Sequence, residues 1–325
     1  MSHSSSVVRS IGVDVGGTKV LGVALGPTGA IVDSFRLPTP QVSDTSLGRP
    51  VGSSVADTIA EVLATLATRG GLDLSTCALG LGVPGIVAFD GTLVFAPNLQ
   101  GAIGANIGAL VAERLGRSEI AVDNDANCAA VAEHHFGAAR GVDHAILLTL
   151  GTGIGGAAIV NGVLLRGANG FAGEFGHLMI DRSGPECPCG SKGCFERFAS
   201  GSGLGHLADV AMREGTVDMA SAASPEALLT AAAQGNAGAL AVVDEFCWWL
   251  AKGIANLTAC FDPSLVVLGG GVIEGHHLIM EPTARHLATA IEGGAFRKPP
   301  KLVPTALGPE AGAVGAAILG ERAQP

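Results

Sequence analysis

The stretch HAILLTLGTGIGGAAIVNGVLL, residues 144–165, decides the fold. Its middle, Gly151-Thr152-Gly153-Ile154-Gly155-Gly156, matches the G-x-G-x-x-G string of dinucleotide-binding domains. That fingerprint requires a helix after the glycines. Here β-forming residues follow and turn back at Asn161-Gly162. The stretch therefore reads as strand His144–Leu150, glycine corner, strand Gly155–Val160, two-residue turn and strand Val163–Leu165. A dinucleotide site is set aside, and no G-x-x-x-x-G-K-[ST] string marks a P-loop.

The same order opens the chain: strand Ser10–Val15, corner Gly16-Gly17, strand Lys19–Leu25, turn Gly26–Gly29, strand Ile31–Arg36. Val15 and Leu150 occupy the same place before each corner, so the pattern predicts a duplicated α/β domain. Between the two copies the sequence predicts a helix over 55–68 and a strand over Ala78–Val83 that ends in Pro84-Gly85. A strand over Ile120–Val122 then runs into Asp123-Asn124-Asp125-Ala126-Asn127, ahead of a helix over Cys128–Phe136. After the second copy, Ser224 caps a helix with Pro225 at its first position, and a longer helix runs from Asn236 to Cys260. Leu265–Leu268 is a strand that ends in Gly269-Gly270-Gly271, and Gly308–Gly320 is an Ala/Gly-rich helix.

Composition narrows the class of function. A chain of 325 residues has room for about two domains. Its 49 glycines are about twice the usual share, which predicts tight turns and close backbone approaches. The formal charge is −10, and no basic run exceeds Arg297-Lys298, which disfavours nucleic acid, polyphosphate or an anionic membrane as partner. The Ser-rich start lacks the apolar core of a secretory signal and no apolar run reaches about 18 residues, so a cytoplasmic protein is expected. Of seven cysteines, Cys77, Cys128, Cys247 and Cys260 lie scattered among apolar neighbours and read as core, while Cys187, Cys189 and Cys194 cluster. An odd total in such a chain suits a metal better than disulfides.

Three groups of residues can carry chemistry. The corners Asp14-Val15-Gly16-Gly17-Thr18-Lys19 and Leu150-Gly151-Thr152-Gly153 can each present backbone N–H groups and a Thr hydroxyl to phosphate oxygens, with Asp14 as a hard ligand for Mg²⁺ through water; the same residues also serve as plain turns. Asp123–Asn127 packs carboxylates and amides at a strand-to-helix junction, where they can cap the helix or supply a base to a hydroxyl nucleophile. Gly173-Glu174-Phe175-Gly176-His177 precedes Cys187-Pro188-Cys189-Gly190-Ser191-Lys192-Gly193-Cys194-Phe195-Glu196. His177 and the three thiols match a closed, structural tetrahedral Zn²⁺ site.

With Pro97-Asn98-Leu99, Leu307-Gly308 and Ala311-Gly312 added, these stretches run through nearly the whole chain in one order. In that order the sequence resembles the ROK family (repressor, open reading frame, kinase) of sugar kinases, and within it the ATP-dependent glucokinases. The resemblance implies a duplicated actin/hexokinase-like (ribonuclease H-like) two-lobed fold. Residues 1–118 would form a small lobe joined by a C-terminal helix at about 308–325, and 119–307 a large lobe with the zinc-binding loop. It implies transfer of the ATP γ-phosphoryl group to the 6-hydroxyl of glucose, with Asp125 as general base and Asn98, Asn124, Glu174, His177 and Glu196 on the sugar. Mg-ATP would meet Asp14, Gly16, Gly17, Thr18, Lys19, Thr152, Gly153 and Gly269, Gly270 and Gly271, while His177, Cys187, Cys189 and Cys194 would hold zinc.

Homo-oligomers, dimer or tetramer, are implied as well. Two departures bear on the sugar: Gly101 is followed by Ala102 where relatives often have Trp, and Asp123 stands where they often have Glu. N-acetylmannosamine, N-acetylglucosamine and fructose are the competing substrates. The family's sugar-responsive transcriptional regulators carry a DNA-binding segment ahead of the kinase-like body. A first strand at about Ser10 and the acidic charge favour the enzyme.

Overall fold

Strand β1 (Ser10–Val15) is covered on both faces, and its neighbours follow from that. The computed structural model describes residues 8–40, 51–221, 223–273 and 277–323. β2 (Lys19–Leu25) and β3 (Ile31–Pro38) fold back antiparallel, and β4 (Ala78–Val83) lies parallel on the other edge of β1. Helix α1 (Val51–Gly70) covers one face, burying Ile59, Leu63 and Leu66 with Val13, Val15 and Val20. The hairpin β5 (Ile86–Val87) and β6 (Leu93–Phe95) leads through a 3₁₀ turn, Pro97–Ala102, to α2 (Ile107–Leu115). β7 (Ala121–Asn124) pairs in parallel with β4 and delivers α3 (Asp125–His135). The strand order is β3-β2-β1-β4-β7.

The second sheet repeats this plan. β8 (Ala145–Leu150), β9 (Ile154–Val160) and β10 (Val163–Leu164) lie in succession, with Asn161 and Gly162 at φ 52° and 73°, the left-handed pair that a tight hairpin requires. Helices α4 (Glu196–Ala199), α5 (Gly201–Arg213), α6 (Pro225–Ala233) and α7 (Ala237–Phe261) follow. Ser224 and Asn236 cap α6 and α7 by accepting from Ala227 N and Ala239 N. β11 (Leu265–Gly269) then pairs in parallel with β8, and after α8 (His277–Ala290), β12 (Lys301–Pro304) pairs in parallel with β11. The order β10-β9-β8-β11-β12 matches that of the first sheet strand for strand.

The last helix, α9 (Ala311–Arg322), packs on the face of the first sheet opposite α1. Its small residues let backbones touch. A Cβ on Gly12 would stand 2.0 Å from the Ala313 carbonyl oxygen, and one on Gly315 would stand 1.7 Å from that of Cys128 in α3. Much of the glycine excess is explained by such contacts.

By packing, the chain divides into two units: Met1–Arg140, Leu164–Ala172 and Pro309–Pro325 form one, Gly141–Val163 and Gly173–Gly308 the other. β7 and α3, which follow the boundary expected near residue 118, join the first unit because β7 completes its sheet and α3 packs on α9. No helix among the described residues is long and apolar enough to cross a membrane.

Candidate functional site

In the first unit, β1 carries Asp14 to the edge of the glycine corner. Gly16 N donates to Lys19 O at 2.8 Å, and the Thr39 hydroxyl donates to Gly16 O at 2.7 Å, so the corner is held from below while Thr18 is exposed at its tip. The Asp14 carboxylate lies between Gly82 and Gly312, where added Cβ atoms would come within 3.5 Å and 2.8 Å of its Oδ1. That Oδ1 is buried and has no hydrogen-bond partner among the described residues. Burial, then the charge of Asp125, push the Asp14 carboxyl up to about 7, against a smaller pull from Lys19. A buried, unpartnered carboxylate oxygen fits a hard cation or its water shell.

Asp125 is the first residue of α3, three positions earlier than the helix expected from 128, because Asn124 takes the cap. Asn124 Oδ1 accepts from Asn127 N at 3.1 Å, its Nδ2 donates to Gly85 O at 2.9 Å, and Asp125 Oδ1 accepts from Ala126 N at 2.8 Å. Placement at a helix N-terminus favours a carboxylate. Of the two readings of Asp123–Asn127, the cap is seen at Asn124, while Asp125 stands beside Asp14. Asp123 is structural, accepting from Asn124 N, Asn127 Nδ2 and Arg166 Nε. Arg166 is absent from the residues read out of the sequence; a lone Arg in the Leu-Leu-Arg-Gly run after β10 carries no motif. Asn98 falls in the 3₁₀ turn Pro97–Ala102, and its side chain lies outside the described residues.

In the second unit, the corner Gly151–Gly153 rests on two neighbours. Gly201 N, at the start of α5, donates to Gly151 O at 2.7 Å, and Val272 N donates to Leu150 O at 3.1 Å, which brings Gly269–Gly271 against the corner. Gly270 has φ 87°, and a Cβ there would meet Leu150 O at 2.5 Å. Thr152 is exposed. A Cβ on Gly153 would stand 2.5 Å from Glu196 Oε2, so this corner abuts the carboxylate that the resemblance expects at the sugar.

Glu196 heads α4 beside the cluster of His177, Cys187, Cys189 and Cys194. Its Oε1 lies 3.6 Å from His177 Nδ1, and Glu174 Oε2 lies 3.9 Å from His177 Nε2. Burial pushes the Glu174 carboxyl up, with His177 opposing and Glu196 adding to the rise. The four candidate ligand atoms lie within 4.8 Å of one another. Cys187 Sγ is 3.8 Å from His177 Nδ1, and Cys189 Sγ is 3.6 Å from Cys194 Sγ. A tetrahedral zinc, with bonds of about 2.3 Å to sulfur and 2.0–2.1 Å to nitrogen, needs ligand separations of roughly 3.5–3.8 Å, so the residues fit the ion. Turns shape this loop: Cys187 N donates to Ser191 O, Gly190 N to Cys187 O, and Gly190 and Gly193 have φ 91° and 63°.

The model of the ROK family matches residues 10–323. The glucokinase of Streptomyces coelicolor is 33% identical over 330 residues, covering 97% of this chain and 98% of its own. A ROK-family glucokinase structure from Streptomyces griseus, in complex with glucose and AMPPNP, is 33% identical with a TM-score of 0.82, over 96% of this chain and 99% of that one. The ROK hexokinase structure from Thermus thermophilus, also 33% identical, has a TM-score of 0.77 over 95% and 97%. The fold is of the actin/hexokinase type, which the two like-ordered sheets embody. A match that begins in β1 and ends at the close of α9 places all the elements described above inside one pattern, and this chain belongs to the ROK family.

Proposed function

We propose that this chain is an ATP-dependent glucokinase in which Asp125 acts as general base on the 6-hydroxyl of glucose. The observation that carries the residue assignment is the pairing of Asp125, at the head of α3, with Asp14, whose buried Oδ1 has no partner among the described residues. One carboxylate suits a proton, the other a divalent cation. The relatives supply the substrates of the reading, since the Streptomyces griseus enzyme was solved with glucose and an ATP analogue.

In this reading O6 of glucose attacks the γ-phosphorus in line, its proton passes to Asp125, and the bond to the β–γ bridging oxygen breaks to release ADP. Little covalent work falls to the protein, so positioning and charge stabilisation dominate. Asn98, Asn124, Glu174, His177 and Glu196 would orient the sugar hydroxyls. The corners Gly16–Lys19, Thr152-Gly153 and Gly269–Gly271 would offer N–H groups and hydroxyls to the nucleotide, and Asp14 would hold Mg²⁺ through water. A zinc ion on His177, Cys187, Cys189 and Cys194 would supply structural cross-linking rather than Lewis-acid chemistry, since all four positions are filled by protein. A cytoplasmic location and assembly into dimers or tetramers belong to the same reading; light scattering measures the latter.

The test is ADP release with Mg-ATP across glucose, fructose, N-acetylglucosamine and N-acetylmannosamine. Glucose is expected to give the highest kcat/KM, and Asp125→Asn to lower kcat by about 10²–10⁴. A higher kcat/KM for another sugar reassigns the substrate, and an active Asp125→Asn overturns the base.

A further inference from the structure

We propose that Arg166 is a positioning residue for the Asp125 carboxylate, acting through Asp123; the inference rests on Asp125 being the base. Asp123 is 9% exposed, and its two oxygens take three donors: Asn124 N at 2.8 Å and Asn127 Nδ2 at 2.7 Å on Oδ1, and Arg166 Nε at 2.8 Å on Oδ2. The backbone N of Asn127 returns to Asn124 Oδ1. Residues 123–127 thus close around the Asp123 carboxylate, and Asp125 lies inside that closed turn.

Arg166 is the one cation that the described residues place on Asp123. It comes from residues 164–172, which belong to the same unit. That segment is itself anchored: Ala172 N donates to Arg166 O at 3.1 Å, and a Cβ on Gly170 would stand 2.8 Å from Val87 O in β5. The backbone that carries Arg166 is therefore fixed, and its side chain, 31% exposed, meets Asp123 through Nε. Three carboxylates, Asp14, Asp123 and Asp125, gather around Cys128 at this end of α3, and Arg166 opposes them there.

A nearly buried carboxylate that loses its guanidinium must recruit water or a proton. Either event weakens its hold on Asn124 N and Asn127 Nδ2 and frees the first turn of α3 to shift. A misplaced base lowers the rate of the chemical step, whereas the nucleotide contacts of the glycine corners do not pass through Asp123.

The experiment measures kcat and both KM values in the full chain for Arg166→Gln, Arg166→Lys, Asp123→Asn and the double variant Arg166→Gln/Asp123→Asn, beside Asp125→Asn. Arg166→Gln is expected to lower kcat roughly ten- to hundredfold, as a sub-ångström to ångström displacement of a reacting group does, with the KM for ATP within about twofold. Arg166→Lys, which keeps the charge, is expected to fall between parent and Gln variant. The double variant is expected to be no slower than Asp123→Asn, because the two residues act in series.

A parental kcat in Arg166→Gln, or losses that multiply in the double variant, would overturn the proposal. If Arg166→Gln does not fold, Asp123→Asn carries the test, and a parental kcat in that variant overturns it equally. An inactive Asp125→Asn beside a fully active Arg166→Gln sinks this inference alone, whereas an active Asp125→Asn sinks the assignment of the base.

Discussion

The sulfur of Cys187 lies 3.1 Å from Oε1 of Glu196, so a ligand of the candidate zinc cluster touches a carboxylate proposed for the sugar. With no ion bound, the thiol donates its proton to that carboxylate, and burial, chiefly, keeps the thiol well above its ordinary pKa. Zinc takes cysteine as thiolate, which ends the donation and leaves the Glu196 oxygen available to a sugar hydroxyl. Stripping the metal with a chelator, or replacing Cys189 with Ser, is expected to raise the KM for glucose roughly ten- to hundredfold and to leave the KM for ATP unchanged. Steady-state kinetics with zinc content by mass spectrometry checks this. Equal rises in both KM values, or a stripped enzyme with parental glucose KM, would count against the linkage.

Gly153 gives a second handle on the same carboxylate. An added Cβ would stand 2.5 Å from Glu196 Oε2, the far end of a flexible side chain, so the protein can yield by moving that side chain. Gly153→Ala is therefore expected to keep its melting temperature within about 2 °C. The price is expected in function: a displaced Glu196 would lose the hydrogen bond to the sugar proposed for it, for about a tenfold rise in glucose KM. A variant with unaltered glucose KM would remove Glu196 from the sugar contacts.

Local signals in the sequence were sufficient for the two strand–corner–strand repeats and for the Ser224 cap, but not for the short strands β5, β6 and β12. The Asn161-Gly162 turn, the twin glycine corners and the Ser224 cap each lie within a few residues of the backbone groups they control, and all are seen. The His177 and cysteine cluster was legible because its ligands are chemically distinctive and its loop is short. The start of α3 was not, since Asp123, Asn124 and Asp125 are all capping residues and only tertiary partners select among them. Asn124 wins by tying Gly85 O, and Asp123 is withdrawn by Arg166, each about forty residues away. Nor does any periodicity signal that Gly153 clears space for Glu196, or that residues 164–172 pack with the first sheet.

Close approach of α9 to β1 predicts a stability effect far from any phosphate or sugar. A Cβ at Gly12 would meet the Ala313 carbonyl oxygen at 2.0 Å and the Ala317 nitrogen at 2.3 Å, both backbone atoms of a packed helix. Neither can move without shifting α9 off the sheet. Gly12→Ala is expected to cost about 3 kcal/mol or more, or to abolish folding. Denaturant unfolding checks this; a loss under about 1 kcal/mol would mean that the helix sits less tightly than described.

Asp14 carries the pH dependence. Its carboxyl is pushed up to about 7 from an ordinary 3.8, first by burial and then by Asp125. A raised carboxyl pKa means that the fold prefers the protonated form. Its contribution to stability is thus fully present below about pH 4, is lost as the pH rises toward 7, and is flat beyond. In magnesium-free buffer, Asp14→Asn is expected to melt a few degrees above the parent at pH 8, with the gap closing toward pH 4. Partial exposure of the residue limits the gap, because solvent screens part of the charge. Mg²⁺ with ATP is expected to reverse the preference, since a divalent cation held at Asp14 as proposed would stabilise the ionised carboxylate. The parent should gain stability from Mg-ATP at pH 8, lose that gain as the pH falls below 7, and need more Mg²⁺ for half-maximal rate there. The Asn variant should show none of these changes and little activity. Scanning calorimetry and magnesium titrations at pH 5.5, 7 and 8 supply the comparison. A parent that melts no lower than Asp14→Asn at pH 8 without magnesium would show that Asp14 is ionised at no cost, and would leave its orphaned oxygen without a cation to explain it.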